Sequence, residues 1–461
     1  MLFNTPQFFV FLAVVLGLFY TAPHSWRKPI LLLASYFFYM SWNAKFVLLL
    51  LVLTTVDYFA GMWIERTAPS HRRKLFLIAS LSANLGFLGF FKYFNFLAAN
   101  LETVLRLPSH HWDIVLPLGI SFHTFQSMSY VVDVYRGEQE AISSPLDYAL
   151  FIAFFPQLVA GPIVRAREFF ADLFHWRRPE NDEILRGAFL TLFGLAKKMV
   201  LADQFAFVAN QYFGNVSGHA GMLQAWSGTV AFALQIYFDF SGYTDMAIGM
   251  ALLLGFHFPV NFRRPYLAQS ITDFWHRWHI SLSRWLRDYL YIPLGGNRHG
   301  RLMTYRNLML TMLLGGLWHG ASWNFVIWGG YHGVLLSAEK ATGTAAVTVG
   351  RPWLQVPRMA LTFALACIGW VFFRAATLHD SMQVIGQMLH GARGHMLLGP
   401  WYLRMIAFAL LLAILEEKRD WFERVVKGPA WVYASAMAAL LIAVELAGVT
   451  EVTMPFIYFQ F

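Results

Sequence analysis

Thirty-two consecutive residues, Asn307–Ala338, carry no Asp, Glu, Lys or Arg. About 20 apolar residues suffice to cross a bilayer, so a segment of this length belongs at membrane depth. The whole chain has the same character. Of its 461 residues, 57% are apolar and 13% charged, where a soluble globular chain has about 45–50% and about 25%. Mean hydropathy is +0.49. A water-soluble fold of this size cannot hide that much apolar surface, which excludes soluble enzymes, disordered chains and disulfide scaffolds. Cys367 is the single cysteine, so an internal bridge or a cysteine-held metal is excluded as well. The net charge of +9 is read as Lys and Arg retained on the cytoplasmic side of a membrane. No basic run points to nucleic acid.

Apolar segments recur along the chain at Phe8–Tyr20, Pro29–Met40, Phe46–Ile64, Leu75–Leu97, Ile114–Val132, Leu146–Leu158, Ile184–Val200, Gln224–Gly255, Leu308–Ser337, Ala360–Phe373, Met405–Leu415 and Trp431–Leu446. The first is read as a membrane helix rather than a cleaved leader, because Met1–Thr5 carries no positive charge. Several segments are shorter than a span and are expected to be re-entrant or tilted. The expected fold class is all-α: a polytopic transmembrane helical bundle of about 10–12 spans with re-entrant and interfacial helices. Basic clusters at Arg66/Arg72/Arg73/Lys74, at Arg165/Arg167/Arg177/Arg178/Arg186 and within Asn261–Arg306 are assigned to the cytoplasmic side. No internal repeat is visible, which counts against a secondary transporter built on inverted repeats.

Four segments carry residues suited to chemistry. Ile271–Leu290, drawn as one amphipathic helix, places Trp275, Trp278, His279, Leu282, Trp285 and Leu286 on one face. Asp273, His276, Arg277, Ser281, Arg284, Arg287 and Asp288 fall on the other. His279 thus points inward and His276 toward water. A satisfied core histidine is the simpler account of His279. His319, in Gly315-Gly-Leu-Trp-His-Gly-Ala-Ser-Trp-Asn324, lies deep in the uncharged segment, where an ionisable group marks a pathway or reaction centre. Gly316 and Gly320 beside it permit close approach of another backbone. His332, thirteen residues on, would sit about 20 Å away on a straight helix, on its opposite face. No His/Asp/Glu set has ligand spacing, so no metal is expected. Asp239 and Asp245, in Tyr237-Phe-Asp-Phe-Ser-Gly-Tyr-Thr-Asp245, could line a polar cavity or orient an arginine or histidine; a buried polar brace is the simpler reading. Phe155–Arg165 and Pro293–Arg301 couple Gly/Pro turns to arginine; cytoplasmic loops are the simpler reading, a phosphate-bearing donor the sharper one.

The stretches Phe155-Pro-Gln-Leu-Val-Ala-Gly-Pro-Ile163, Asp239-Phe-Ser-Gly-Tyr-Thr-Asp-Met-Ala-Ile-Gly249, Asp273-Phe-Trp-His-Arg-Trp-His-Ile-Ser-Leu-Ser283, Trp285–Asn297, Gly316-Leu-Trp-His-Gly320 and Pro455-Phe-Ile-Tyr-Phe-Gln-Phe461 run in order over nearly the whole chain. Together they resemble the membrane-bound O-acyltransferase family, in its alginate O-acetylation membrane-subunit type. Related members acetylate cellulose or peptidoglycan or move D-alanine toward teichoic acid. The resemblance implies a catalytic pair, His319 in the Trp-His-Gly motif and His279 upstream, and a funnel reaching the histidine from both sides of the membrane. Residues 1–461 are then one integral membrane acyltransferase domain, with 271–338 as its catalytic core.

The expected activity is transfer of an acetyl group from a cytoplasmic donor across a bacterial inner membrane, for O-acetylation of a secreted polysaccharide, alginate in the first instance. Acetyl-CoA or another cytoplasmic acyl donor is the expected substrate, with no permanently bound cofactor. His319 is read as general base or transient acyl carrier, and His279 as orienting the acyl group or sharing the proton. Since no external domain is visible, the expected partner is a periplasmic or membrane-anchored O-acetyltransferase within an exopolysaccharide machinery. Cellulose or peptidoglycan are alternative acceptors. A flippase relaying protons through the histidines, or a scaffold without chemistry, are the non-enzymatic alternatives.

Overall fold

The computed structural model describes residues 1–344, 354–449 and 454–457. The described residues form twenty α-helices joined by short π and 3₁₀ turns, with one isolated bridge between Gly221 and Ala392 and no strand. The chain divides into two units: residues 1–191 with 246–259, and residues 192–245 with those from 260 onward. Among the described residues four segments are long and apolar enough to cross a membrane: Phe46–Arg66, His71–Leu105, Gln355–Arg374 and Ala430–Ala447. The ten to twelve spans expected from the sequence also drew on shorter apolar segments such as Phe8–Tyr20, which lies in the 16-residue helix Pro6–Thr21.

In the first unit, the Phe46–Arg66 helix buries Leu49, Leu50, Leu53, Asp57, Ala60 and Gly61 on one face. Leu48, Val52, Phe59 and Trp63 remain exposed on the other. In water such a stripe would be an aggregation site; lipid accepts it without penalty. Asp57, fully buried, receives hydrogen bonds from Ser80 Oγ at 2.6 Å and Asn84 Nδ2 at 2.8 Å, which joins two membrane helices through a polar contact. Phe155–Val164 is not a surface loop. Phe155, Gln157, Leu158 and Ile163 are all buried, and Gln157 Nε2 donates to the Phe151 carbonyl at 2.8 Å. The turn is thus part of the core of its unit, and only Arg165 at its end is half-buried.

In the second unit the uncharged segment is two helices, not one. The Gly300–His319 helix stops at His319, Gly320 is extended, and Trp323–Thr342 runs on as a second helix. The two backbones touch. A Cβ on Gly316 would run into the Phe325 carbonyl, and one on Gly329 into that of Met312, so small residues set the helix spacing as they do in membrane bundles. Ile271–Leu290 is broken as well. A first helix, Ile271–Arg277, and a second, Ile280–Leu286, flank Trp278 and His279. The break needs no glycine because neighbouring backbone satisfies it: Arg263 N–H donates to the Arg277 carbonyl and Ile280 N–H to that of Asn261, each at 2.9 Å. Glu339 caps the first of these helices, accepting from Ile271 N at 2.6 Å, Thr272 N at 2.9 Å and Thr272 Oγ1 at 2.8 Å.

Candidate active site

His279 sits at the break with φ 42° and ψ 55°. A non-glycine residue in this left-handed region costs about 1–3 kcal/mol and persists only where its surroundings impose it. Here Asn261 does so. Its Oδ1 accepts from Ser281 N at 3.1 Å and Ser281 Oγ at 2.9 Å and lies 3.3 Å from His279 Nδ1. His279 is fully buried and Ser281 nearly so. Ser281 therefore leaves the wet face assigned to it, because the helix restarts at Ile280 in a new register. His276 remains exposed and His279 buried, as the wheel drew them.

His319 occupies the last helical position before Gly320 and is 4% exposed. Its ring packs edge-on against Trp328 at 5.1 Å and Phe373 at 5.2 Å, beside Trp318. The His279 and His319 ring centroids are 6.4 Å apart. Two residues forty positions apart in sequence thus meet inside an aromatic interior, with Phe240, Phe262 and Trp318 around His279. At this spacing the rings are neighbours, tilted 59° to one another, so two imidazoles can face one small group placed beside them.

His332 is not remote. Because the chain reverses at Gly320, its ring packs on Trp328 at 5.0 Å, so His319 and His332 share one indole. Trp275 Nε1–H donates to His332 Nδ1 at 3.4 Å. His332 thus braces the tryptophans behind the pair. Among the described residues no three His, Cys, Asp or Glu gather as a metal site.

Asp239 belongs to a buried ionic cluster and Asp245 to a separate half-buried pair, and their partners are lysines rather than an arginine or histidine. Lys198 Nζ contacts Asp239 Oδ1 and Asp203 Oδ1, each at 2.7 Å, and Lys197 Nζ contacts Asp245 at 2.6 Å. Asp239 Oδ2 also accepts from Ile457 N at 2.6 Å. Of the terminal motif, Phe456 and Ile457 are buried; its last four residues, 458–461, lie outside the described residues. Around Pro293–Arg301, Arg298 and Arg301 are exposed, while Asn297 is held by Lys340 Nζ at 2.9 Å. Outside the membrane segments Arg177 is already matched: its guanidinium binds Glu183 at 2.7 and 2.8 Å and holds that carboxyl down at about 2. Burial alone would lower His257 beside them, but hydrogen bonds with Glu183 and Asp172 leave it raised.

Comparison with known proteins bears on this site. The sequence pattern that defines the membrane-bound O-acyltransferase family matches residues 31–378, a stretch that includes both histidines. The chain belongs to that family. It is 45% identical over 398 residues to a probable alginate O-acetylase AlgI of Pseudomonas syringae pv. tomato, covering 84% of this chain and 75% of the relative. The probable alginate O-acetylase AlgI of Pseudomonas aeruginosa is 46% identical over 398 residues, covering 84% and 74%. A peptidoglycan O-acetyltransferase of Helicobacter pylori is 40% identical over 426 residues, covering 84% and 80%. The protein is thus a membrane-bound acyltransferase, and its relatives' names carry O-acetylation in particular.

Asn261, Lys197 and Lys198 were not singled out by sequence reasoning. The lysines had a signal: two cations inside the apolar run Ile184–Val200 require counter-charges at the same depth, and Asp239 and Asp245 supply them. Asn261 had none, since one asparagine eighteen residues before a histidine is unremarkable. The burial contrast carries a prediction. His279→Ala should reduce acetyl transfer far more than His276→Ala at equal expression, because only His279 faces His319. Transfer assays on matched membrane preparations check this, and equal losses would contradict the geometry.

Proposed function

We propose that His319 and His279 form the reaction centre of an acetyl transfer that starts from a cytoplasmic thioester donor such as acetyl-CoA and ends on a secreted polysaccharide. The observation that carries this reading is the meeting of the two imidazoles at 6.4 Å within an otherwise aromatic interior. His319 removes the proton from a hydroxyl of the transferase that receives the acetyl group on its way to the polymer. The oxygen attacks the acetyl carbonyl carbon, the carbon–sulfur bond breaks, and the leaving thiolate takes the proton from the imidazolium. A neutral imidazole with a reference pKa of about 6.5 suits both halves of that exchange. The protein spans the inner membrane several times and hands the acetyl group to a periplasmic or membrane-anchored transferase, because a bulky polar polymer does not fit among buried aromatic rings. Alginate is the polymer the Pseudomonas relatives favour; the Helicobacter relative supports peptidoglycan as the second reading.

Thioester turnover tests the reading. Full-length protein in liposomes should release free CoA from acetyl-CoA, slowly without an acceptor. A carrier or scaffold would leave the thioester intact.

A further inference from the structure

We infer that Asn261 fixes His279 in the tautomer that carries its proton on Nδ1, so that His279 acts at Nε2 as an acceptor and not as a donor to the acyl oxygen. One Asn261 side-chain atom has its identity settled by its neighbour. A backbone N–H can only donate, so the Asn261 side-chain atom 3.1 Å from Ser281 N is the carbonyl oxygen, not the amide nitrogen. That same oxygen lies 3.3 Å from His279 Nδ1. An oxygen acceptor demands a proton on the facing nitrogen, and a neutral imidazole has one proton to place. The lone pair is therefore on Nε2.

The clamp is built to hold. Asn261 is 1% exposed. Its backbone carbonyl also takes the Ile280 N–H at 2.9 Å, so one residue grips the turn through both main chain and side chain. Among the described residues Phe240, Phe262, Trp318 and His319 pack on the His279 ring, from the Met222–Leu253 helix, the Asn261–Arg264 loop and the Gly300–His319 helix, and of these four His319 is titratable. Asn261 acts through His279, which makes it a positioning residue. The proposal rests on the reading of His279 as part of the reaction centre and narrows it. Of the two roles open to His279, proton sharing is selected and polarisation of the acyl carbonyl by an N–H is excluded. In enzymes of other folds, holding the wrong histidine tautomer costs about 10⁴-fold in rate.

Asn261→Ala and Asn261→Asp separate positioning from mere folding. Asn261 Nδ2 makes no hydrogen bond among the described residues, so the Asp variant loses no bond and keeps the acceptor oxygen. Asn261→Ala should lose about 10- to 100-fold in kcat, by analogy with loss of the partner that orients a metal-bound histidine, with KM little changed. Asn261→Asp should restore most of that rate at alkaline pH. Its acid limb should move up by about one pH unit, because a carboxylate at Nδ1 favours the imidazolium. A residue that only supports the fold would leave the acid limb in place. The direct readout is ¹⁵N NMR of histidine-labelled full-length protein in liposomes, with His279→Gln assigning the signal. The expected pattern is a protonated Nδ1 and an unprotonated Nε2. The Nε2–H tautomer in the unaltered protein, or an unmoved acid limb in Asn261→Asp, overturns the proposal. Full activity in His279→Ala would instead remove the reading beneath it and leave the tautomer standing.

Discussion

His319→Ala lowers acetyl transfer by about 10²–10⁴-fold, the range expected for loss of a proton-transfer group, while the protein still inserts and accumulates. The side chain ends a helix whose closest backbone approach to its neighbour is set by Gly316 and Gly329, while the imidazole adds one ring contact, to Trp328. Truncation at that position keeps the glycine-set helix spacing and removes a titratable ring packed beside His279. The defect should fall on kcat. Polymer acetylation in cells, normalised to the amount of protein in the membrane, measures it. Wild-type acetylation would take His319 out of the mechanism.

Lys198→Met has a comparably large effect of a different kind: it should strip the membrane of folded protein. Lys198 is 1% exposed and bridges Asp203 and Asp239, supplying the positive charge between them. Removing one partner of a buried ionic cluster costs about 3–5 kcal/mol, because the remaining charge is left uncompensated. That is a large share of the 5–15 kcal/mol, roughly, that holds a domain folded. Asp239 also holds the Ile457 N–H, so the loss should free the terminal segment. Thermal unfolding in detergent, with protein yield, measures the change. Converting Asp203 and Asp239 to asparagine in the same chain should recover part of the stability. A Lys198→Met protein that melts with the wild type would show that the cluster contributes little.

What the sequence revealed followed from local physical constraints. The uncharged run and the depth of His319 could be read directly, because charge is expensive in lipid wherever it falls. The inward turn of His279 was legible from the aromatic spacing about it. The helix breaks were not. No proline or glycine stands at Trp278-His279 to announce one. The left-handed turn exists because Asn261 and Arg263, distant in sequence, pair with its free backbone groups, and helical periodicity has no means of seeing a partner eighteen residues away. The same limit misplaced His332, which a straight helix carries away from His319 and the turn at Gly320 brings back to Trp328. The burial of the Phe155–Val164 turn escapes the sequence for a related reason: its Gly/Pro content signals a turn but does not say whether that turn is buried.

The central claim is that the His279–His319 pair passes an acetyl group and does not move an intact donor. The most direct measurement uses proteoliposomes loaded with acetyl-labelled CoA, with polysaccharide outside, and compares the protein with and without a periplasmic transferase. The account predicts label on the polymer only when both proteins are present, CoA retained inside, and no label with His319→Ala. Intact labelled acetyl-CoA appearing outside, or transfer by His319→Ala at the wild-type rate, would contradict it.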